Sequence, residues 1–85
     1  MPYSINYVPS TAKALRKLDR PTARRLLNAI GKLAEEPRPA GCIKLEDGDG
    51  EFRIRVGDFR IVYDVYDDEL IVLALRVGHR RDVYR

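Results

Sequence analysis

Cysteine and histidine each occur once in this 85-residue chain, as Cys42 and His79. A lone thiol excludes a disulfide framework, and one cysteine with one histidine cannot supply the ligands of a structural zinc site. Long apolar runs are also missing. None approaches the ~18 residues of a membrane span, and Met1-Pro2-Tyr3-Ser4 lacks the basic and apolar regions of a secretory signal. Repeats and low-complexity tracts are absent. The expectation is a cytoplasmic domain that uses no metal, cofactor or membrane.

What is present argues for folding. Hydrophobic residues make up 45% and charged residues 34% of the sequence, which excludes disorder and predicts a small core beneath a charged surface. A second core would leave neither part enough to bury, so residues 1–85 form one domain, and burial of roughly 60–65% of the unfolded surface leaves room for a stabilising partner. The formal charge is +3 and the pI about 9.2, too mild to establish nucleic-acid binding by itself. Its distribution says more. From Glu51 onward there is no lysine, but seven arginines balance seven acids, and Asp64, Asp67, Asp68 and Glu69 gather around one predicted turn.

Tyr3–Val8 alternates polar and apolar residues, as a half-buried strand does. Ser10 is a candidate N-cap for a short helix to about Leu18, and Pro21 suits the start of a second. Ala23, Leu26, Leu27, Ile30, Leu33 and Ala34 then share one helical face, up to Pro37-Arg38-Pro39. An irregular stretch follows, with an extended piece conceivable at Ile43–Leu45. Glu51–Val56 alternates strictly, and after the tight turn Gly57-Asp58 the segment Phe59–Tyr66 returns with Phe59, Ile61, Tyr63 and Val65 inward and Arg60, Val62, Asp64 and Tyr66 on the opposite face. Leu70–Val77 is nearly all apolar, as a central strand covered on both faces would be, and Gly78–Arg85 reads as a polar tail. The predicted fold is α+β, in the order β-α-α-β-β-β: a two-helix hairpin packed on a small, mainly antiparallel four-stranded sheet.

The face away from the helices carries the chemistry. Period-two geometry puts Arg53 and Arg55 on that side about 6.5–7 Å apart, and the hairpin brings Arg60 beside them. Arg76, Arg80 and Arg81 lie at or beyond the returning end of the last strand. Each arginine alone reads as a solvated charge. Convergence of three segments repels itself and suits a polyanion whose phosphates accept bidentate, permanent donors. Tyr84 could stack on an unpaired base or simply cover the sheet edge. His79 is the one side-chain type here that exchanges a proton near neutral pH. Asp47-Gly48-Asp49-Gly50-Glu51 hints at a calcium loop, but Phe52 and Asp58 stand where that motif needs glycine and glutamate. Cys42 has no activating histidine nearby in sequence and reads as an incidental thiol.

The segments Phe52-Arg53-Ile54-Arg55-Val56-Gly57-Asp58-Phe59-Arg60-Ile61-Val62-Tyr63 and Val77-Gly78-His79-Arg80-Arg81-Asp82-Val83-Tyr84-Arg85 resemble RelE-type toxins of the RelE/ParE superfamily. The Pro37–Cys42 loop and the Lys13–Leu18 helix resemble them as well, so the likeness covers essentially the whole chain. It implies the toxin of a type II toxin–antitoxin system, a metal-independent endoribonuclease that cuts mRNA in the ribosomal A site by attack of the 2′-OH. Family positions carry over to Arg53, Arg55, Arg60, Arg80 and Tyr84, with Arg76, Arg81 and Arg85 as further RNA contacts. Relatives have lysines where this chain has Arg53 and Arg55. Because arginine does not give up its proton, the base or leaving-group acid role is expected of His79. The resemblance further implies a RelB-like antitoxin, ribosome and mRNA as partners, and operator DNA only through the toxin–antitoxin complex. The chain ends at Arg85, short of the C-terminal helix of some relatives, which would leave the open face to a partner peptide. The alternatives are a ParE-like inhibitor of DNA gyrase and an inactive homologue.

Overall fold

In the computed structural model, which describes residues 2–45 and 50–79, the chain runs β1 (Ser4–Tyr7), α1 (Pro9–Arg16), α2 (Arg20–Lys32), β2 (Ile43–Lys44), β3 (Phe52–Val56), β4 (Phe59–Tyr66) and β5 (Ile71–His79). The sheet has five strands rather than the expected four, in the order β1-β5-β4-β3-β2. The fifth is Ile43–Lys44, which pairs antiparallel with Arg53 and Phe52 and closes one edge. β1 lies parallel to β5, and the other neighbours are antiparallel. β5 is thus flanked on both sides, as its apolar run predicts. No helix among the described residues is long and apolar enough to cross a membrane.

Local chemistry sets the boundaries. α1 begins one residue before Ser10: Val8 occupies the cap position with no side-chain bond, and Pro9 opens the helix, where its missing N–H costs nothing. Asp19 caps α2 by accepting from the Thr22 N–H at 3.2 Å and the Thr22 hydroxyl at 3.0 Å. Those bonds hold its carboxyl below the usual carboxylate range. Leu70, expected to open β5, instead closes the preceding turn at φ 55°. At the other end β5 runs through Gly78-His79, because the ladder to Arg60 and Phe59 continues regardless of side-chain polarity. The core lies between helices and sheet, where Leu15, Leu26, Ile30 and Leu33 meet Ile61, Tyr63 and Val72.

One irregularity decides which side chains reach the open face. Tyr63 pairs with Ala74 but Val62 pairs with Arg76, leaving Leu75 as the extra residue of a bulge. Strict alternation from Val72 and Ala74 would send Arg76 toward the helices. The bulge returns it to the far face, opposite Val62. The Leu75 carbonyl is held by the buried Thr11 hydroxyl of α1, which donates to it at 2.6 Å. Thr11→Val keeps the shape and removes the donor. It is expected to destabilise the fold by about 1–3 kcal/mol, read as a lower urea midpoint at unchanged m-value.

A surface clasp joins the β4–β5 turn to the rest. Arg38 makes two parallel bonds to Asp67, at 3.2 and 2.7 Å, and the Tyr3 hydroxyl donates to the same carboxylate at 2.7 Å. These donors lower the Asp67 pKa, those from Arg38 first. A carboxyl whose pKa is lower in the folded state adds stability above its unfolded pKa and loses that contribution as pH falls through the folded value. The melting-temperature gap between wild type and Asp67→Asn should therefore be full above about pH 4 and close in stronger acid.

Candidate nucleic-acid interface

Across the three adjacent strands β3, β4 and β5, register places two rows of side chains on the face away from the helices. Arg53, Val62 and Arg76 form one row, and Arg55, Arg60 and Gly78 the next. The rows are about 6.5–7 Å apart along the strands, and neighbouring strands about 4.8 Å. Four guanidiniums from three strands thus occupy one end of the sheet, while the turn carrying Asp67, Asp68 and Glu69 lies at the other. The shared face changes character along its length: beyond the arginines come Asp64 and Tyr66, whose phenol pKa is raised chiefly by the Asp64 charge.

The arginines differ in their settings. Arg55 and Arg76 are exposed and Arg53 is half-buried. Arg60 is only 6% exposed and Val62 only 1%, so the middle of the expected open face is covered. Val62 gives the face an apolar floor, a role its place among polar neighbours could have signalled. Gly78 has no side chain to set across from Arg60. The Arg60 guanidinium donates to the Phe59 carbonyl at 3.5 Å, and Arg55 Nε to the Gly57 carbonyl at 3.2 Å. Gly57 takes φ 60°, the left-handed first position that suits glycine in this two-residue turn. The donor set, Arg53, Arg55 and Arg76 around a buried Arg60, has the bidentate, permanently charged chemistry that an extended anion would require.

His79 does not join this arrangement. It is the register partner of Phe59, and its ring meets the Phe59 ring edge-to-face at 5.5 Å. Phe59 packs against the core cluster, so His79 is on the helix side of the strand. Its place in the sequence beside Arg80 and Arg81 suggested otherwise, but strand residues alternate between faces, and pairing with Phe59 puts His79 on the side away from Arg60. Arg80, Arg81, Tyr84 and Arg85, together with Asp47, Gly48 and Asp49 of the calcium-like loop, lie outside the described residues. Among the described residues no cluster of three or more histidine, cysteine or carboxylate side chains could hold a metal ion.

Two helices on one side of a mixed sheet, with four arginines collected on the other, define a small basic α+β domain. Residues 5–84 match the family model described as the ParE toxin of the type II toxin–antitoxin system parDE. The chain is 35% identical over 86 residues to toxin RelG of Mycobacterium tuberculosis, covering 100% of this chain and 99% of that one. It is similar to RelE in the RelE–RelB complex of Pyrococcus horikoshii at 30% identity and a TM-score of 0.83, covering 96% of this chain and 99% of that one. For the isolated Escherichia coli RelE toxin the values are 27% and 0.80, with 96% and 90% covered. The chain therefore belongs to the RelE/ParE family of type II toxin–antitoxin toxins.

Proposed function

We propose that this toxin is a ribosome-dependent endoribonuclease that cleaves mRNA in the A site without a metal ion, and that a RelB-like antitoxin restrains it in the cytoplasm. The observation that carries the reading is the convergence of Arg53, Arg55, Arg60 and Arg76 on one face, with Arg60 buried among them. The 2′ oxygen attacks the adjacent phosphorus, the bond to the 5′ oxygen breaks, and the 2′ proton ends on that leaving oxygen. A cyclic phosphate and a free 5′-OH result. Arg60, with Arg80 from the family resemblance, stabilises the extra negative charge of the pentacoordinate state. Tyr84 stacks on the base and orients the 2′-OH in line, while Arg53, Arg55, Arg76, Arg81 and Arg85 hold flanking phosphates.

Because His79 lies on the Phe59 side of the strand, the proton shuttle expected of it has no geometric support. A positioned acid or base contributes typically ~10²–10⁴-fold. His79→Gln is therefore expected to cut within tenfold of wild type, and a larger loss in a folded variant would restore the residue to the mechanism. An antitoxin partner is supported by relatives solved as RelE–RelB complexes, and operator DNA would be bound through that complex.

The deciding experiment is primer extension on a defined message in a purified translation system, with wild type and Arg80→Ala. Ribosome-dependent cuts that vanish in the variant support the nuclease. An intact message turns attention to gyrase inhibition, the reading favoured by the ParE description of the matching family model, and a supercoiling assay on the same sample tests it.

A further inference from the structure

The net charge is not spread evenly over the fold. Between Met1 and Ala34 there are seven basic residues and a single acid, Asp19, so the part of the sequence that forms β1, α1 and α2 is strongly cationic while the remainder is net acidic. α2 itself contains no acid. Its outer stripe borders a groove of about 960 Å³ between the helix and the β3 side of the hairpin, with an apolar floor that includes Leu33, Ile54 and Val56 and with Arg25 and Lys32 of α2 and Arg55 of β3 along its border. Glu36 is the one acid in that lining.

Arg25 is drawn toward the hairpin. A methyl group built on Gly57 would come within 2.9 Å of the Arg25 guanidinium, so this side chain lies directly over the turn. Arg55, bonded to the Gly57 carbonyl, approaches the same turn from the opposite face. Guanidiniums thus continue around the hairpin tip, from Arg60 and Arg55 on the sheet face to Arg25 on the helix face. Lys32 extends the series about 10 Å along α2, two helical turns on.

We infer that the groove between α2 and β3 is a second RNA-backbone site, which grips ribosomal phosphates through Arg25 and Lys32 on the helix side of the hairpin, with Arg55 at its border with the proposed cleavage face. This inference rests on the ribosome-dependent reading above and names the part of the surface that supplies affinity rather than chemistry. Continuity of the cationic series with the arginine face favours nucleic acid. An acidic protein strand is less well served, because β2 already occupies the outer edge of β3 at Phe52 and Arg53, which leaves only Ile54–Val56 for an added strand. An edge of three residues is short beside the about 5–6 residues of a typical strand, so a peptide gains little by extending the sheet there.

The test is binding to purified, message-programmed bacterial 70S ribosomes by co-sedimentation, across a series of salt concentrations. The variants are Arg25→Ala/Lys32→Ala and, since Arg25 touches the turn, Lys32→Glu alone at an exposed helical position. Each is checked for an unchanged circular-dichroism spectrum. Affinity is expected to fall roughly tenfold or more, and the slope of log affinity against log salt to shrink by about one to two in the double variant. Wild-type affinity and slope in both variants would overturn the assignment, and loss of antitoxin binding alone would assign the groove to protein. Because the readout is binding, a wild type that sediments with ribosomes but leaves the message intact refutes the nuclease without touching the groove. A wild type that does not bind ribosomes refutes both.

Discussion

Arg60→Ala is expected to lower the single-turnover rate of mRNA cleavage by about 10²–10³-fold at saturating ribosome, the scale of losing one preorganised donor to a transition-state charge. The size follows from the setting. At 6% exposure the guanidinium has already given up most of its water. A phosphate arriving there meets a desolvated permanent charge that need not reorganise as the pentacoordinate state forms. Arg76, exposed in the neighbouring row, serves as the contrast. Arg76→Ala should weaken binding and flatten its salt dependence with a much smaller effect on the rate at saturation, as loss of a solvent-screened phosphate contact does. Arg60→Lys keeps the charge but not the planar fork, so it should recover only part of the activity. A folded Arg60→Ala protein that cuts within tenfold of wild type would remove Arg60 from the site and, with it, the charge-stabilisation mechanism.

Sequence periodicity carried most of the architecture because each element obeys one local rule. The stripe from Ala23 to Ala34 is helical, and the alternation of Phe52, Ile54 and Val56 with Arg53 and Arg55 fixes both strand and face. What was not legible depends on pairing. Ile43–Lys44 is too short to show a period, and becomes a strand only because Arg53 and Phe52 offer it a partner. The Leu75 bulge leaves no trace in an apolar run such as Leu70–Val77, yet it decides the face of Arg76. Burial of Arg60 is similarly a property of the assembled sheet. His79 shows the opposite error: adjacency to basic residues drew it toward the arginine cluster, whereas pairing with Phe59 assigns it to the other side. Arg25, outside the apolar stripe of its helix, lies over the Gly57 turn, a proximity between elements more than thirty positions apart that no local pattern shows.

Tyr63→Ala should cost about 3–5 kcal/mol, as large-to-small changes of buried aromatics do. Against the roughly 4–13 kcal/mol expected for a domain of this length, that is enough to unfold a marginal member of the range. Tyr63 is fully buried between Phe52 and Ala74 in the register, and its ring stacks on Phe52 at 5.9 Å. Arg38 lies 5.4 Å over that same Phe52 ring before reaching Asp67. The phenol also donates to the Pro37 carbonyl at 2.7 Å, fastening the loop after α2 to the sheet. Burial, the largest cause, pushes its pKa well above the ordinary tyrosine value, so the donor keeps its proton throughout the working range. Tyr63→Phe separates the two contributions. It retains the ring and strands a buried carbonyl, for an expected loss of about 1–3 kcal/mol. Chemical denaturation of the two variants gives the comparison, with a reduced midpoint at constant m-value as the signature. The phenylalanine variant should still bind ribosomes and cut message at the wild-type rate when folded, because Tyr63 faces the helices and the arginines face away. An intact fold with lost cleavage would mean that the two faces of this sheet are coupled, and that the Pro37 loop takes part in positioning the site.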